Sequence, residues 1–175
     1  DHLIWLSDAL DPMVEEFQLF ITGEVERREP TRVLATILCA MVTGPRAETT
    51  VPQLVDRFRG EVVSRGADEI CAMFDGPGRA VRCAAAMVAN GRREGWEARA
   101  GVHSGECELT TGSGVEGVAL QIARAIAATA RPGDVLASQT VRDVVVGTTI
   151  TFEPRGVLCL DGVAGTWHVL EVTRT

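Results

Sequence analysis

Arg32–Val42 reads RVLATILCAMV, and this stretch decides the fold. It is nearly unbroken in apolar character, rich in β-branched residues and bounded by Pro30-Thr31 and Gly44-Pro45. Such a run, too short for a long helix and without polar alternation, predicts a central strand buried on both faces. Working outward, Pro45–Thr50 reads as loop and Val51–Phe58 as one short helix. Glu61–Ser64 and Ile70–Phe74 read as two short strands joined by Arg65-Gly66-Ala67-Asp68-Glu69, a hairpin. Gly78–Gly95 has apolar Ala80, Val81, Ala84, Ala85 and Val88 at helical spacing, with Asn90-Gly91 near its end. Glu97–Leu109 is a long strand interrupted by Gly105, and Val115–Ala130 a helix stopped before Pro132. Asp134–Ala137 is a short strand and Thr140–Val146 a short helix. Ile150–Leu160 and Thr166–Val172 close the chain as an antiparallel pair. This order predicts an α+β sandwich, with helices on one face of a mostly antiparallel sheet.

Composition narrows the chemistry. The chain has 175 residues, 46% hydrophobic and 23% charged, enough for one domain with a real core. All 17 basic residues are Arg. The lack of Lys excludes P-loop chemistry and any Schiff-base lysine. A net charge of −7 with no basic stripe argues against a nucleic-acid surface. No apolar run is long enough for a membrane span, and no signal peptide opens the chain. A cytoplasmic location is the expectation. The Arg-only, Ala- and Val-rich usage suggests a high-GC bacterial source. The five Cys (39, 71, 83, 107 and 159) form no CxxC pair, and Cys39, Cys83 and Cys159 stand among apolar neighbours. They read as buried, reduced thiols.

Residues 1–30 read as an N-terminal helical arm and linker ahead of a domain over 31–175. Asp11 is a suitable N-cap, Pro12 suits the first helical position, and Val14, Phe17, Phe20 and Ile21 recur at helical spacing. Glu24–Thr31 is a charged linker containing Pro30. A chain opening on Asp1 rather than Met is expected to be part of a longer one.

Residues 32–172 resemble the catalytic domain of class III adenylate/guanylate cyclases. The segments that carry the resemblance are RVLATILCAMVTG at 32–44, FRGEVVSRGADEICAMFDGPGRAVRCA at 58–84, ARAGVHSGECEL at 98–109, GVALQIARAIAATARPGDVLASQTVRDVV at 117–145 and FEPRGVLCLDGVAGTWHVLEV at 152–172. The resemblance implies a ferredoxin-like α+β sandwich. It also implies closure of ATP or GTP to a cyclic nucleotide with release of pyrophosphate, two divalent metals held by two aspartates, and sites shared across a homodimer.

Set against that pattern, most site positions are substituted. Met41 stands where the first metal Asp is expected, and a soft thioether does not suit Mg²⁺ or Mn²⁺. The second metal Asp is kept as Asp68, but in Ala67-Asp68-Glu69 without the flanking glycines; Glu69 adds a second carboxylate. The purine-reading Lys maps to Ser64 and its partner to Gly114. The transition-state Asn maps to Gln121 and the Arg to Ala125. Arg124 is adjacent but turned by about 100° around the helix. Asn90 belongs to a helix end. Between Gly44 and Phe58 stand only 13 residues, where the family spends on the order of 23 at average helix lengths. The first of those helices would present its N-terminus to the phosphates.

The expectation is a degenerate cyclase homology domain, a pseudoenzyme acting in dimerisation, nucleotide sensing or regulation within cyclic-nucleotide signalling. No cofactor is expected, and Mg²⁺ or Mn²⁺ only where residual ATP or GTP binding survives. The alternative is a divergent active cyclase using Asp68, Glu69 and Arg124. A third reading comes from the lead-in. DHLIWLSD at 1–8 and EEFQLFITG at 15–23 resemble the end of the α/β-hydrolase domains that precede cyclase domains in some bacterial fusions. That resemblance would make His2 a triad histidine and the chain the C-terminal appendage of a hydrolase. His103 and Ser104, adjacent on a strand, point to opposite faces and do not form a catalytic pair. His168 reads as a packed histidine beside Trp167.

Overall fold

The computed structural model describes residues 31–110 and 114–175. The expected helical arm over 1–30 lies outside the described residues, as do 111–113. The central strand is found where the apolar run predicts it: β1, Thr31–Thr43, is buried from Ala35 to Ala40. It pairs antiparallel with β3 (Glu69–Phe74) on one side and β4 (Glu97–Thr110) on the other. The sheet runs β2-β3-β1-β4-β6-β8-β7. Here β2 is Glu61–Arg65, β6 Val135–Ser138, β7 Thr151–Cys159 and β8 Thr166–Arg174. Among the described strands only β4 and β6 pair in parallel. A three-residue strand, β5 (Gly114–Glu116), folds back on the end of β4.

Four helices are described: α1 Ala47–Arg57, α2 Pro77–Glu94, α3 Val118–Thr129 and α4 Gln139–Val144. Alternation along β1 sorts them by face. Leu38 and Ala40 join a core with residues of α1, α2 and α4. Ala35, Ile37 and Cys39 face α3 through Ala119, Leu120, Ala123 and Ala127. The expectation of helices on a single face therefore holds for three of them. The fourth, α3, crosses the other face because it is apolar on two sides. Its Ile122 and Ile126 pack against Leu136, Leu160 and Val169. Gly101 lets α3 come close. A Cβ there would overlap Ala123 O and Ala127 N.

Two element boundaries differ from expectation. The helix expected from Val51 starts at Ala47, after Arg46 in a left-handed conformation at φ 72°. Pro52 thus sits inside α1 rather than at its start. The helix expected from Val115 is preceded by β5, and Gly117 at φ 122° separates the two. Val115 goes into the α3-side core while pairing with Leu109. Three strand residues bracketed by glycines leave no periodic signal. No helix among the described residues is long and apolar enough to cross a membrane.

Candidate functional site

Rung by rung, the pairing of β1 with β3 and β4 assembles the face that carries the candidate positions. Met41 is opposite Glu69 on β3 and Arg99 on β4; the next inward rung on that face is Cys71, Cys39 and Gly101. Met41, Thr43, Asp68, Glu97 and Arg99 line an open cleft of about 350 Å³ at the end of the sheet. Asp68 is exposed there, and its carbonyl accepts a hydrogen bond from Val42 N at 2.8 Å. Arg99 fills the position beside Met41: Nη2 donates to Met41 Sδ at 3.3 Å and Nη1 to Ala130 O at 3.1 Å. Nothing in the sequence pattern singled out Arg99.

Glu69 does not face that cleft as a free ligand. Arg124 Nε donates to both of its carboxylate oxygens, at 2.8 and 2.9 Å, and Nη2 lies 2.7 Å from Oε1. Glu69 and Arg124, the additional metal ligand and the displaced transition-state Arg of the active-cyclase alternative, thus hold each other within one chain. The partners are 55 residues apart, so no local spacing announces them.

The remaining positions do not converge on the cleft. Ser64 lies on β2 beside an irregularity in its pairing with β3. Gly114 opens β5, where a Cβ would overlap Thr110 Oγ1. Gln121 is exposed on α3, and Ala125 packs against the Leu136–Leu160 cluster. Among the described residues no group of three or more His, Cys, Asp and Glu side chains is placed to hold a metal ion. The donor set does not fit a pair of Mg²⁺ or Mn²⁺ ions: a thioether bonded to a guanidinium stands at one position, and the added carboxylate is neutralised by another.

A second polar cluster lies where β4, β6 and β8 meet. His103 Nδ1 and Ser138 Oγ are 2.7 Å apart and both residues are buried. Trp167 meets the imidazole edge-on at 5.6 Å. Burial pulls the His103 pKa down to about 4, which keeps the ring neutral. Ser104 turns to the other face and bonds Thr36 Oγ1 at 2.8 Å, as the opposed faces of His103 and Ser104 predict. His168, read as packed, is exposed, while the neighbouring Trp167 packs in the Leu136–Leu160 cluster.

The cysteines depart from expectation. Cys39 and Cys71 are joined as a disulfide across β1 and β3, with Cα atoms 4.1 Å apart. Cys159 is exposed, and only Cys83 and Cys107 are free and buried. Burial pushes the Cys83 thiol up to about 12 and raises that of Cys107.

No protein-family model and no curated protein matches the chain. Solved structures do. An adenylate/guanylate cyclase/hydrolase from Silicibacter pomeroyi is 19% identical with a TM-score of 0.72, over 82% of this chain and 98% of that one. The adenylyl cyclase CyaB from P. aeruginosa is 14% identical, TM-score 0.71, over 84% and 97%. A non-canonical dimeric guanylyl cyclase domain from the aquatic fungus Blastocladiella emersonii is 13% identical, TM-score 0.70, over 83% and 99%. The described residues therefore have the fold of the class III adenylate/guanylate cyclase catalytic domain.

Proposed function

We propose that this domain is a cyclase homology domain without nucleotidyl cyclase chemistry, acting in cyclic-nucleotide signalling through dimerisation, nucleotide sensing or regulation of a domain joined to it. The observation that carries this reading is the occupation of the candidate metal face by the chain's own cations: Arg99 on Met41 and Arg124 on Glu69. Loss of one preorganised transition-state donor typically costs about 10²–10³ in rate. Several such losses combine with less than full additivity and still leave little activity. The B. emersonii guanylyl cyclase domain is described both as a non-canonical dimer and as a monomer; this domain is read as a homodimer. Met41 and Gly114 are cheaper to bury in such an interface than unpaired carboxylates. A cytoplasmic setting goes with this reading.

The experiment is an assay of the purified protein with ATP and with GTP, in Mg²⁺ and in Mn²⁺, alongside direct nucleotide binding. The expected result is no cyclic nucleotide above background. Turnover abolished by Asp68→Ala would establish the divergent cyclase instead. The hydrolase-appendage reading takes support from the S. pomeroyi relative, described as a cyclase/hydrolase, and is tested by the sequence upstream of Asp1.

A further inference from the structure

We propose that Cys39 and Cys71 form a reversible thiol–disulfide site, with a dithiol/disulfide couple as its reactant, and that its state is read by the Glu69–Arg124 contact. The geometry comes from the sheet register. Cys39 and Cys71 are directly opposed in an antiparallel pair, where cross-strand side chains lie within reach of each other. The bond links strands 32 residues apart in sequence. It lies one rung inward from Met41 and Glu69 on the same face.

Arg124 Nη2 lies 3.9 Å from Cys71 Sγ, beside the Glu69 carboxylate that it pairs with. A thiolate of the dithiol attacks one sulfur of the pair, forming a mixed disulfide and releasing the other cysteine as the thiolate. The second thiol of the reagent then attacks the mixed disulfide and frees the first cysteine. One S–S bond breaks in the protein and one forms in the reagent. Two electrons and two protons pass to the protein; the reverse reaction returns them.

Reduction changes what Glu69 touches. Glu69 Oε1 lies 3.5 Å from Cys71 Sγ. A thiol there donates to the same carboxylate that Arg124 holds, whereas the disulfide has no proton to give. Breaking the bond also removes the covalent tie between β3 and β1, leaving only their backbone pairing, beside the hairpin that carries Asp68. Both cysteines are fully buried, so exchange passes through a local opening of α3. The Arg124 side chain, 42% exposed, lies against Cys71 Sγ between it and solvent-exposed surface. This site stands whether or not the domain binds nucleotide.

The test uses the full chain in buffers of reduced and oxidised dithiothreitol at varied ratio, quenched in acid, unfolded, alkylated and mapped by peptide mass. The expected result is a Cys39–Cys71-linked peptide that appears and disappears reversibly with the ratio while the protein stays folded. Cys83, Cys107 and Cys159 should alkylate throughout. Reduction should lower Tm by several degrees and speed amide exchange in β3 and α3 but not in β7–β8. Cys39→Ser/Cys71→Ser should abolish these responses and Cys159→Ser should keep them. Arg124→Ala should speed native-state reduction several-fold by uncovering the route. Absence of the linked peptide at every ratio, or its conversion only in unfolded protein, overturns the proposal. So does reduction that leaves exchange in β3 and α3 unchanged. If the double variant does not fold, the peptide map and exchange of the unaltered protein decide.

Discussion

Arg124 and Glu69 tie α3 to β3 through a fork of two hydrogen bonds and an ion pair, with side chains 42% and 23% exposed. At that exposure water screens the pair, so its net worth is about 1 kcal/mol rather than that of a buried bridge. Arg124→Met should lower stability by about that amount, read as a shift of the urea midpoint at unchanged slope. His103 behaves differently because it is buried and neutral. Its folded pKa of about 4 lies below the unfolded value of about 6.5, so between these the unfolded state binds the extra proton. The stability held by the neutral ring is fully present above pH 6.5 and is lost as pH falls to 4, in total about 3 kcal/mol. Urea melts at several pH values should show that slope. A His103→Gln variant, which keeps a polar partner for Ser138, should flatten it.

At the scale of elements, the close crossing of α3 over β4 depends on the missing side chain of Gly101. Gly101→Ala drives a methyl into the backbone of Ala123 and Ala127, where no flexible chain end can yield. The expected loss is about 3 kcal/mol, the upper part of the usual overpacking range, again measured by urea denaturation. The same scale shows what could be read beforehand. RVLATILCAMV announced β1 because a strand buried on both faces has to be apolar at every step. Gly78–Gly95 announced α2 because its apolar residues recur at helical spacing. β5 was hidden because three residues have no period to show. The start of α1 was hidden because the chain turns helical at Ala47, five residues before Pro52, after Arg46 in a left-handed conformation that no apolar spacing announces. That Met41, Gln121 and Ala125 stand at substituted positions was legible only as what the family resemblance implies. What took their place was not: Arg99 on Met41 and Arg124 on Glu69 follow from strand register and from α3 lying across the sheet, which no one-dimensional spacing encodes. The cysteine pair was missed for the same reason.

On the scale of the whole molecule, the proposed function, a cyclase fold whose candidate metal face is held by internal cations, predicts association without catalysis. Light scattering at about tens of micromolar, well above the Kd range of ordinary stable interfaces, should give a dimer mass in the absence of nucleotide. A monomer mass there would remove the homodimer from the proposed function and leave the fold untouched. The placement of β1 has a further consequence, for the time course of synthesis. Thr31 pairs with Leu109 and Thr43 with Glu97, so the first strand of the domain leaves the ribosome while its longest partner is still about 50–80 residues away. At about 5–20 residues per second, the most apolar segment of the domain waits several seconds before β4 can cover its edge. During that interval an unpaired, apolar strand is open to the wrong neighbour, so the yield of native protein in the cell should depend on holdase chaperones and on growth temperature more than the stability of the finished domain would suggest.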